Sequence, residues 1–264
     1  MSTTAYINGK VYTVDDKSPQ VEAFLVNDAD GTFAAIGSSD EILKRSPTHT
    51  VDLKGQFVMP GLHDAHSHLM LGAFQKLHEA SLGWTSGEKE TIQKLKAHCS
   101  QDSCGVSGAW LIGNFYVQAN FPEGKPDRKF LDAEFPDTPV MIREHSCHHV
   151  FLNSKGLELA GYTQDDFDND DKLHGGWFVR KDGEITGECV EAAAKKAYLA
   201  TPKSKPEVYE NAMLYACKMA NRFGITSVQV FLCNCMSEIR KHQQTRLYYE
   251  LSRHLRRKGN SRLT

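Results

Sequence analysis

The chain has 264 residues, 40% of them hydrophobic and 24% charged, with a formal net charge of −2. That length buries a sizeable core as one large domain or two smaller ones, and so small a charge gives no footing for nucleic acid or an anionic membrane as partner. No apolar run reaches the roughly 18 residues of a membrane span, the N-terminal MSTTAYINGKVYTV lacks the pattern of a secretory signal and the seven scattered cysteines read as free thiols, so the expected compartment is the cytoplasm.

The first sixty residues read as β-rich. TAYINGKVYT (4–13) alternates apolar and polar residues around Asn8-Gly9, which predicts a hairpin of two short strands with a type I′ turn. VEAFLV and TFAAIG, within 21–37, predict two strands joined by the NDADG turn. SSDEILKRSP predicts a short helix with Ser39 or Asp40 as N-cap and Pro47 beyond its end. TVDLKGQFVM (50–59) returns to strand.

After residue 61 the texture changes. GEKETIQKLKAHC (87–99) has the apolar stripe of an amphipathic helix, with Ile92, Leu95 and Cys99 on one side. GAWLIGNFYV (108–117) and TPVMIREHS (138–146) are strand-like, and NSKGLELAG (153–161) suits a helix capped by Asn153 or Ser154 and stopped at Gly161. YTQDDFDNDDK (162–172) is acidic and reads as an exposed loop; it lacks the glycine and terminal glutamate of a calcium-binding EF-hand loop. GGWFVRKDGEITGECV (175–190) predicts a hairpin turning at Asp182-Gly183. KPEVYENAMLYACKMANRFG (205–224) predicts a helix with Val208, Ala212, Tyr215, Met219 and Phe223 on its apolar face and Gly224 at its end, followed by a strand in ITSVQVFL. Helix, glycine, then β-branched strand is the alternation of a parallel α/β protein.

Residues 236–264 carry +6 and residues 1–235 carry −8, so the basic tail belongs to a different compositional regime. Leu247, Leu251 and Leu255 there have the spacing of a short amphipathic helix. Cys233-Asn-Cys235 lacks two further ligands at the spacing of a structural zinc site.

VMPGLHDAHSHLM (58–70) carries the chemistry. On an extended backbone His66 and His68, two apart, project from one face, and two neutral imidazoles converging on a point suit zinc or a similar divalent ion. A bound metal of this kind brings the pKa of its water to about 7 and polarises a carbonyl. Against this stands the plain alternative of two surface histidines paired by chance. Trp110, Phe115 and Tyr116 read as core or pocket wall, and Gly31, Gly37 and Gly61 as turn glycines with no phosphate loop among them.

GQFVMPGLHDAHSHL resembles the signature of the amidohydrolase superfamily: a strand, Pro60-Gly61, then Asp64-x-His66-x-His68. The resemblance extends to INGKVYTVD, WLIGNFYVQ, HHVFLNSKGLELAG, the GGW and DGEITGE segments and GITSVQ, which look like the type 3 branch, and covers about residues 4–232. It implies a small N-terminal β-sandwich part over 1–60, then a partial (β/α) TIM-type barrel over 61–235 with an inserted α+β region at about 85–200, and a basic tail over 236–264 outside the likeness. It also implies hydrolysis of carbon–nitrogen bonds in amides, formamides or cyclic ureides by a metal-activated water. By this resemblance His66 and His68 are metal ligands, Asp64 braces the turn or a ligand histidine, and His148 contacts substrate or metal, although Cys147 stands where the family has glycine; the plain alternative for His148 is a histidine packed at a strand end. His63 stands where the family has an apolar residue and is left out of the ligand set; His145 and His149 match nothing in it; Glu188 and Glu191, after Thr186-Gly187, are conceivable acidic ligands without a firm role.

The family also takes ligands from later strands, two histidines and a late aspartate that serves as general base, and nothing after residue 229 resembles those segments. His242 and His254 have no strands before them. The expectation is therefore an incomplete form of a zinc-dependent amide hydrolase. Two other readings stand beside it: a catalytically inactive truncated homologue that acts in interaction or regulation, forming a homo-oligomer or pairing with a full-length homologue, and a structural or metal-buffering protein that uses the histidine pair alone.

Overall fold

A computed structural model describes residues 2–99, 110–173 and 175–230. Cys104, Cys233, Cys235, His242, His254 and the basic tail with its leucine spacing lie outside the described residues. The chain divides into two compact units, Met1–His63 and the part from Asp64 onward.

The first unit holds β1 (Thr3–Ile7), β2 (Lys10–Tyr12), β3 (Gln20–Val21), β4 (Ala23–Asn27), β5 (Phe33–Gly37), α1 (Ser39–Leu43), β6 (His49–Asp52) and β7 (Phe57–Val58). One sheet runs β5-β4-β1-β6 and a second runs β3-β2-β7. The expected β1–β2 hairpin is not formed: β1 pairs with β4 and β6, whereas β2 pairs with β3 and β7. The reason is local. A type I′ turn needs positive φ at both central residues, and of the two only Asn8 has it, at 56°. Asn8-Gly9 is therefore a corner at which the chain leaves one sheet for the other, with the Gly9 N–H donating to Glu22 O at 2.9 Å. The second expected pair, β4 with β5, is antiparallel as read. The cap of α1 is Ser38, one residue before the expected position; its hydroxyl accepts from Glu41 N while the Glu41 carboxylate accepts from Ser38 N, a capping box. Ala5, Ala23, Leu25 and Ile42 form this unit's core.

The second unit, into which β8 (Leu62–Ser67) continues from its start at the end of the first, holds α2 (Leu69–His78), β9 (Ala80–Ser81), α3 (Glu88–Cys99), β10 (Leu111–Tyr116), α4 (Lys129–Glu134), β11 (Val140–Glu144) and β12 (His149–Leu152). It continues with α5 (Ser154–Leu159), α6 (Gln164–Asp168), β13 (Trp177–Lys181), β14 (Glu184–Val190), α7 (Lys195–Ala200), α8 (Pro206–Arg222) and β15 (Ile225–Val230). Its main sheet has the order β13-β14-β12-β11-β10-β9. β9, β10 and β11 are parallel, and β12, β14 and β13 follow antiparallel. β8 pairs with β15 in a separate two-stranded sheet. Among the described residues the architecture is mixed α/β with several sheets, and no barrel closes.

The runs LI, VMI and VFL are apolar without alternation because this sheet is buried on both faces. Ile112, Met141, Val150 and Leu152 face one cluster, with Leu157, Ala197 and Tyr198 of α5 and α7. Leu111, Val140, Ile142 and Phe151 face the other, with Leu95 and Leu131 of α3 and α4. Asn153, fully buried, ties this layer together. Its side chain accepts from Val140 N (2.9 Å) and, as the cap of α5, from Gly156 N (2.8 Å), and donates to Phe135 O and Thr138 O (both 2.9 Å).

The structure departs from the sequence-based expectation at two further places. Residues 162–172 are not a plain loop. Thr163 and Asp166 form a capping box that starts α6, and Phe167 stacks edge-on to Phe178 at 5.0 Å, which anchors the acidic stretch by its one apolar side chain beyond Tyr162. The buried side of α8 is Ala212, Met213 and Ala216, against α2, whereas Met219 and Phe223 are exposed; the long apolar side chains drew the sequence reading to the wrong stripe. The β13–β14 hairpin is as expected, with Asp182 (φ 51°) and Gly183 (φ 83°) meeting the type I′ requirement. No helix among the described residues is long and apolar enough to cross a membrane.

Candidate functional site

The strand expected at Phe57–Met59 ends at Val58, and the histidine stretch itself supplies the next one, β8. His63, Asp64 and His66 lie on it. His68 lies just past its end, with φ −108° and ψ 46°, at the start of α2. The pair is therefore carried by a strand end and a helix start, not by one extended segment. Asp64 Oδ1 accepts the backbone N–H of His66 at 3.1 Å. The imidazoles of His66 and His68 have centroids 5.4 Å apart and planes at 74°, and both side chains are exposed, as is His63.

Two adjacent imidazoles fit part of a zinc or similar site, which takes three protein ligands and an open position when catalytic and four ligands when structural. Among the described residues no group of three or more His, Cys, Asp or Glu side chains is placed to hold a metal ion. His148 is drawn elsewhere: its Nδ1 is 2.7 Å from Glu191 Oε1, and its carbonyl accepts from Glu191 N at 2.9 Å.

Three buried carboxylates organise the C-terminal ends of the parallel strands and their neighbours. Glu188 accepts from Tyr116 Oη (2.8 Å) and Gln118 Nε2 (3.1 Å) and lies 2.9 Å from His149 Nδ1. The hydrogen bond to Glu188 raises the His149 pKa, against the effect of partial burial, and burial followed by the Glu188 charge pushes the Tyr116 phenol well above its usual range. Glu144 holds Ser146 N at 2.7 Å and pairs with His145 Nδ1. Glu79 accepts from Arg143 Nε at 3.1 and 3.3 Å and from Asn114 Nδ2 at 3.3 Å; the Arg143 guanidinium lies 5.0 Å from the Tyr198 ring centroid. Burial opposes the charge on Arg143, and Glu79 and Tyr198 outweigh it, so its pKa rises. His149, Glu79 and Arg143 were not singled out as functional from the sequence. The signal available was a charged residue inside an otherwise apolar strand, as with Glu188 before Cys189-Val190 and Arg143 after Val140-Met141-Ile142, because such a residue is buried only with a partner. A polar surface hollow of about 250 Å³ beside Asp127, Lys181 and Thr186 is spanned by the Lys129–Glu184 ion pair and holds none of these groups.

The model of a family described as "Amidohydrolase family" matches residues 49–255. The chain belongs to the amidohydrolase family. The match of this amidohydrolase runs past residue 232, into the basic stretch. The chain is similar to an N-substituted formamide deformylase from Arthrobacter pascens, 30% identical over 200 residues, with 74% of this chain and 35% of that protein covered. It is 28% identical to the putative amidohydrolase YtcJ of Bacillus subtilis, with 83% and 40% covered. Among solved structures, an uncharacterized metal-dependent hydrolase from Pyrococcus horikoshii OT3 superposes with a TM-score of 0.62 at 26% identity, covering 96% of this chain and 46% of that one. The chain thus spans less than half the length of these relatives.

Proposed function

We propose that this amidohydrolase is the N-terminal part of a metal-dependent hydrolase of carbon–nitrogen bonds other than peptide bonds, acting on small amides or formamides. The observation that carries the reading is the His66–His68 pair, with ring centroids 5.4 Å apart, in the segment of the chain that matches the family. His66 and His68 would hold a divalent metal, zinc by the chemistry of a paired-imidazole donor set, and Asp64 would brace His66 through its backbone N–H. When bound, the metal would supply an activated water at neutral pH. His148, with its imidazole set by Glu191, would contact substrate. The first unit is read as the small β-sandwich part over 1–60, and residues 61–235 as the N-terminal portion of a (β/α) TIM-type barrel with an α+β insertion at about 85–200; the likeness to the Pyrococcus hydrolase supports that reading. The remaining ligands and the general base would come from outside this chain's described residues, in keeping with the 35–40% of its relatives' length that it spans. The protein is placed in the cytoplasm, with a small amide-type molecule as its ligand and neither nucleic acid nor membrane as partner.

The alternative reading is a catalytically inactive truncated homologue that pairs with itself or with a full-length homologue in an interaction or regulatory role. The absence of a third metal-binding side chain beside the pair, among the described residues, favours it. Elemental analysis of zinc in the purified chain and in H66A/H68A, read beside turnover of an amide and formamide panel, separates the two. Zinc lost in the double variant together with turnover in the wild type supports the hydrolase. A wild-type chain that retains no more zinc than H66A/H68A sinks it in favour of the second reading.

A further inference from the structure

β10 carries a bulge whose extra residue is Phe115. Its register with β11 runs in step to Asn114↔Arg143 and resumes at Tyr116↔Glu144, so Phe115 opposes no residue of β11. The ladder continues on both sides of it, with Leu82 N donating to Asn114 O at 3.0 Å and His145 N donating to Tyr116 O at 3.1 Å. The bulge changes parity. Tyr116 joins the face of Leu111 instead of that of Ile112, where its hydroxyl reaches Glu188. Phe115 is turned out of the core with φ 73°, in the left-handed region that a bulky side chain rarely adopts. A glycine would fill this bulge without strain. A phenylalanine held there is a strained residue over-determined by its surroundings, and such residues cluster at ligand sites.

What Phe115 meets points to a ligand. Trp84 follows the C-terminal end of β9 and His145 that of β11, so the three side chains come from the same ends of three adjacent parallel strands, where open α/β sheets bind their ligands. Trp84 and Phe115 stand edge to face at 4.6 Å and 87°. His145 closes the third side, 5.7 Å from Trp84 and 6.3 Å from Phe115. Two of the three are held by polar contacts: Asn120 Nδ2 donates to the Trp84 backbone carbonyl at 2.6 Å, and the buried Glu144 carboxylate pairs with His145 Nδ1. Yet Trp84 remains 65% exposed. A perpendicular aromatic corner that includes an exposed tryptophan has the form of half of an aromatic pocket.

We propose that Trp84, Phe115 and His145 form a subsite for a flat aromatic ring, and that it selects amides bearing an aryl substituent. The substrate class rests on the hydrolase reading above; the ring preference does not. Binding of acetanilide and of N-methylacetamide, which lacks the ring, to the full chain is measured by ligand-observed NMR titration. Acetanilide is expected to bind at least about tenfold more tightly, and W84A and F115G are each expected to weaken it by about three- to tenfold while leaving N-methylacetamide unchanged. F115G also relieves the positive φ, and W84A removes an exposed ring, so both variants are expected to unfold within about 4 °C of the wild type. Equal binding of the two amides, or a ring preference that survives both substitutions in folded protein, overturns the proposal. Ring preference in a chain that binds no zinc leaves the subsite standing and counts against the hydrolase reading alone.

Discussion

His149 and Glu188 meet diagonally across the antiparallel pair β12–β14, with Nδ1 2.9 Å from Oε1. The bond to Glu188 raises the His149 pKa, and partial burial opposes it less strongly; Glu144 and Glu191 add to the rise. A histidine whose folded pKa lies above its unfolded value contributes stability that is fully present below the unfolded pKa, about 6.5, and is lost as pH rises through the folded value. Urea unfolding of the wild type is expected to show stability falling as pH rises above about 6.5, and H149Q is expected to remove that part of the slope. A slope unchanged in H149Q would show that the pair contributes no linkage.

Removing the acceptor is expected to cost more than removing the histidine. E188A leaves the Tyr116 hydroxyl and the Gln118 amide without their carboxylate partner, and a loss of about 3 kcal/mol is expected, read from the shift in urea midpoint. E188Q keeps an acceptor for Tyr116 and is expected to lose about half of that.

Glu79 and Arg143 form a buried ion pair, with side chains 0% and 12% exposed. R143M strands the carboxylate and is expected to cost about 3–5 kcal/mol, whereas E79M/R143M, which removes both charges, is expected to recover most of it. A double-mutant cycle in urea measures the coupling. Additive losses would mean that the pair does not act as a unit.

Gly187, in the Thr-Gly-Glu run, has φ 98°, and a Cβ there would lie 2.2 Å from Leu152 O and 2.9 Å from the Arg128 Cβ. Neither neighbour is the free end of a flexible side chain, so G187A must move backbone. It is expected to lower stability by about 3 kcal/mol or more, and thermal unfolding read beside that of the open-turn variant G183A gives the comparison.

Asp64 touches His66 through the backbone, Oδ1 to N at 3.1 Å. If the pair holds zinc as proposed, D64A is expected to weaken zinc binding by about tenfold while its stability changes by less than about 1 kcal/mol, since support of a ligand is worth roughly 10- to 100-fold in metal affinity. Competition against a chromophoric chelator measures it. Unchanged affinity would leave Asp64 a turn residue only.

Much of the local structure was legible because it depends on local chemistry. The Asp182-Gly183 turn and a cap at Asn153 or Ser154 follow from residue type, and the LI and VMI runs marked strands that the structure buries on both faces. The misreadings share a cause. Asn8-Gly9 has hairpin residues, yet β1 finds its partners in β4 and β6, far along the chain. The largest apolar side chains of α8 mark one stripe, while its buried face is set by α2. Residues 162–172 were judged by their charge, while two aromatic side chains and a capping box decided the outcome.

By itself the sequence determined the family likeness, the histidine pair and the elements with a clear turn, cap or period, such as α3, α8 and the β13–β14 hairpin, because motifs, turn chemistry and periodicity are properties of neighbours in the chain; it left α2, α4, α7 and β12 unread. The tertiary structure alone decided that Glu79 lies against Arg143 and Glu188 against Tyr116 and His149, and that Phe115 is turned out beside Trp84 and His145. Those contacts join residues from 30 to 72 positions apart. No local rule names such a partner. It is chosen when strands align in register, when a single bulge reverses the facing of every side chain after it, and when a buried charge must find its counter-charge or its hydrogen bonds within the folded interior.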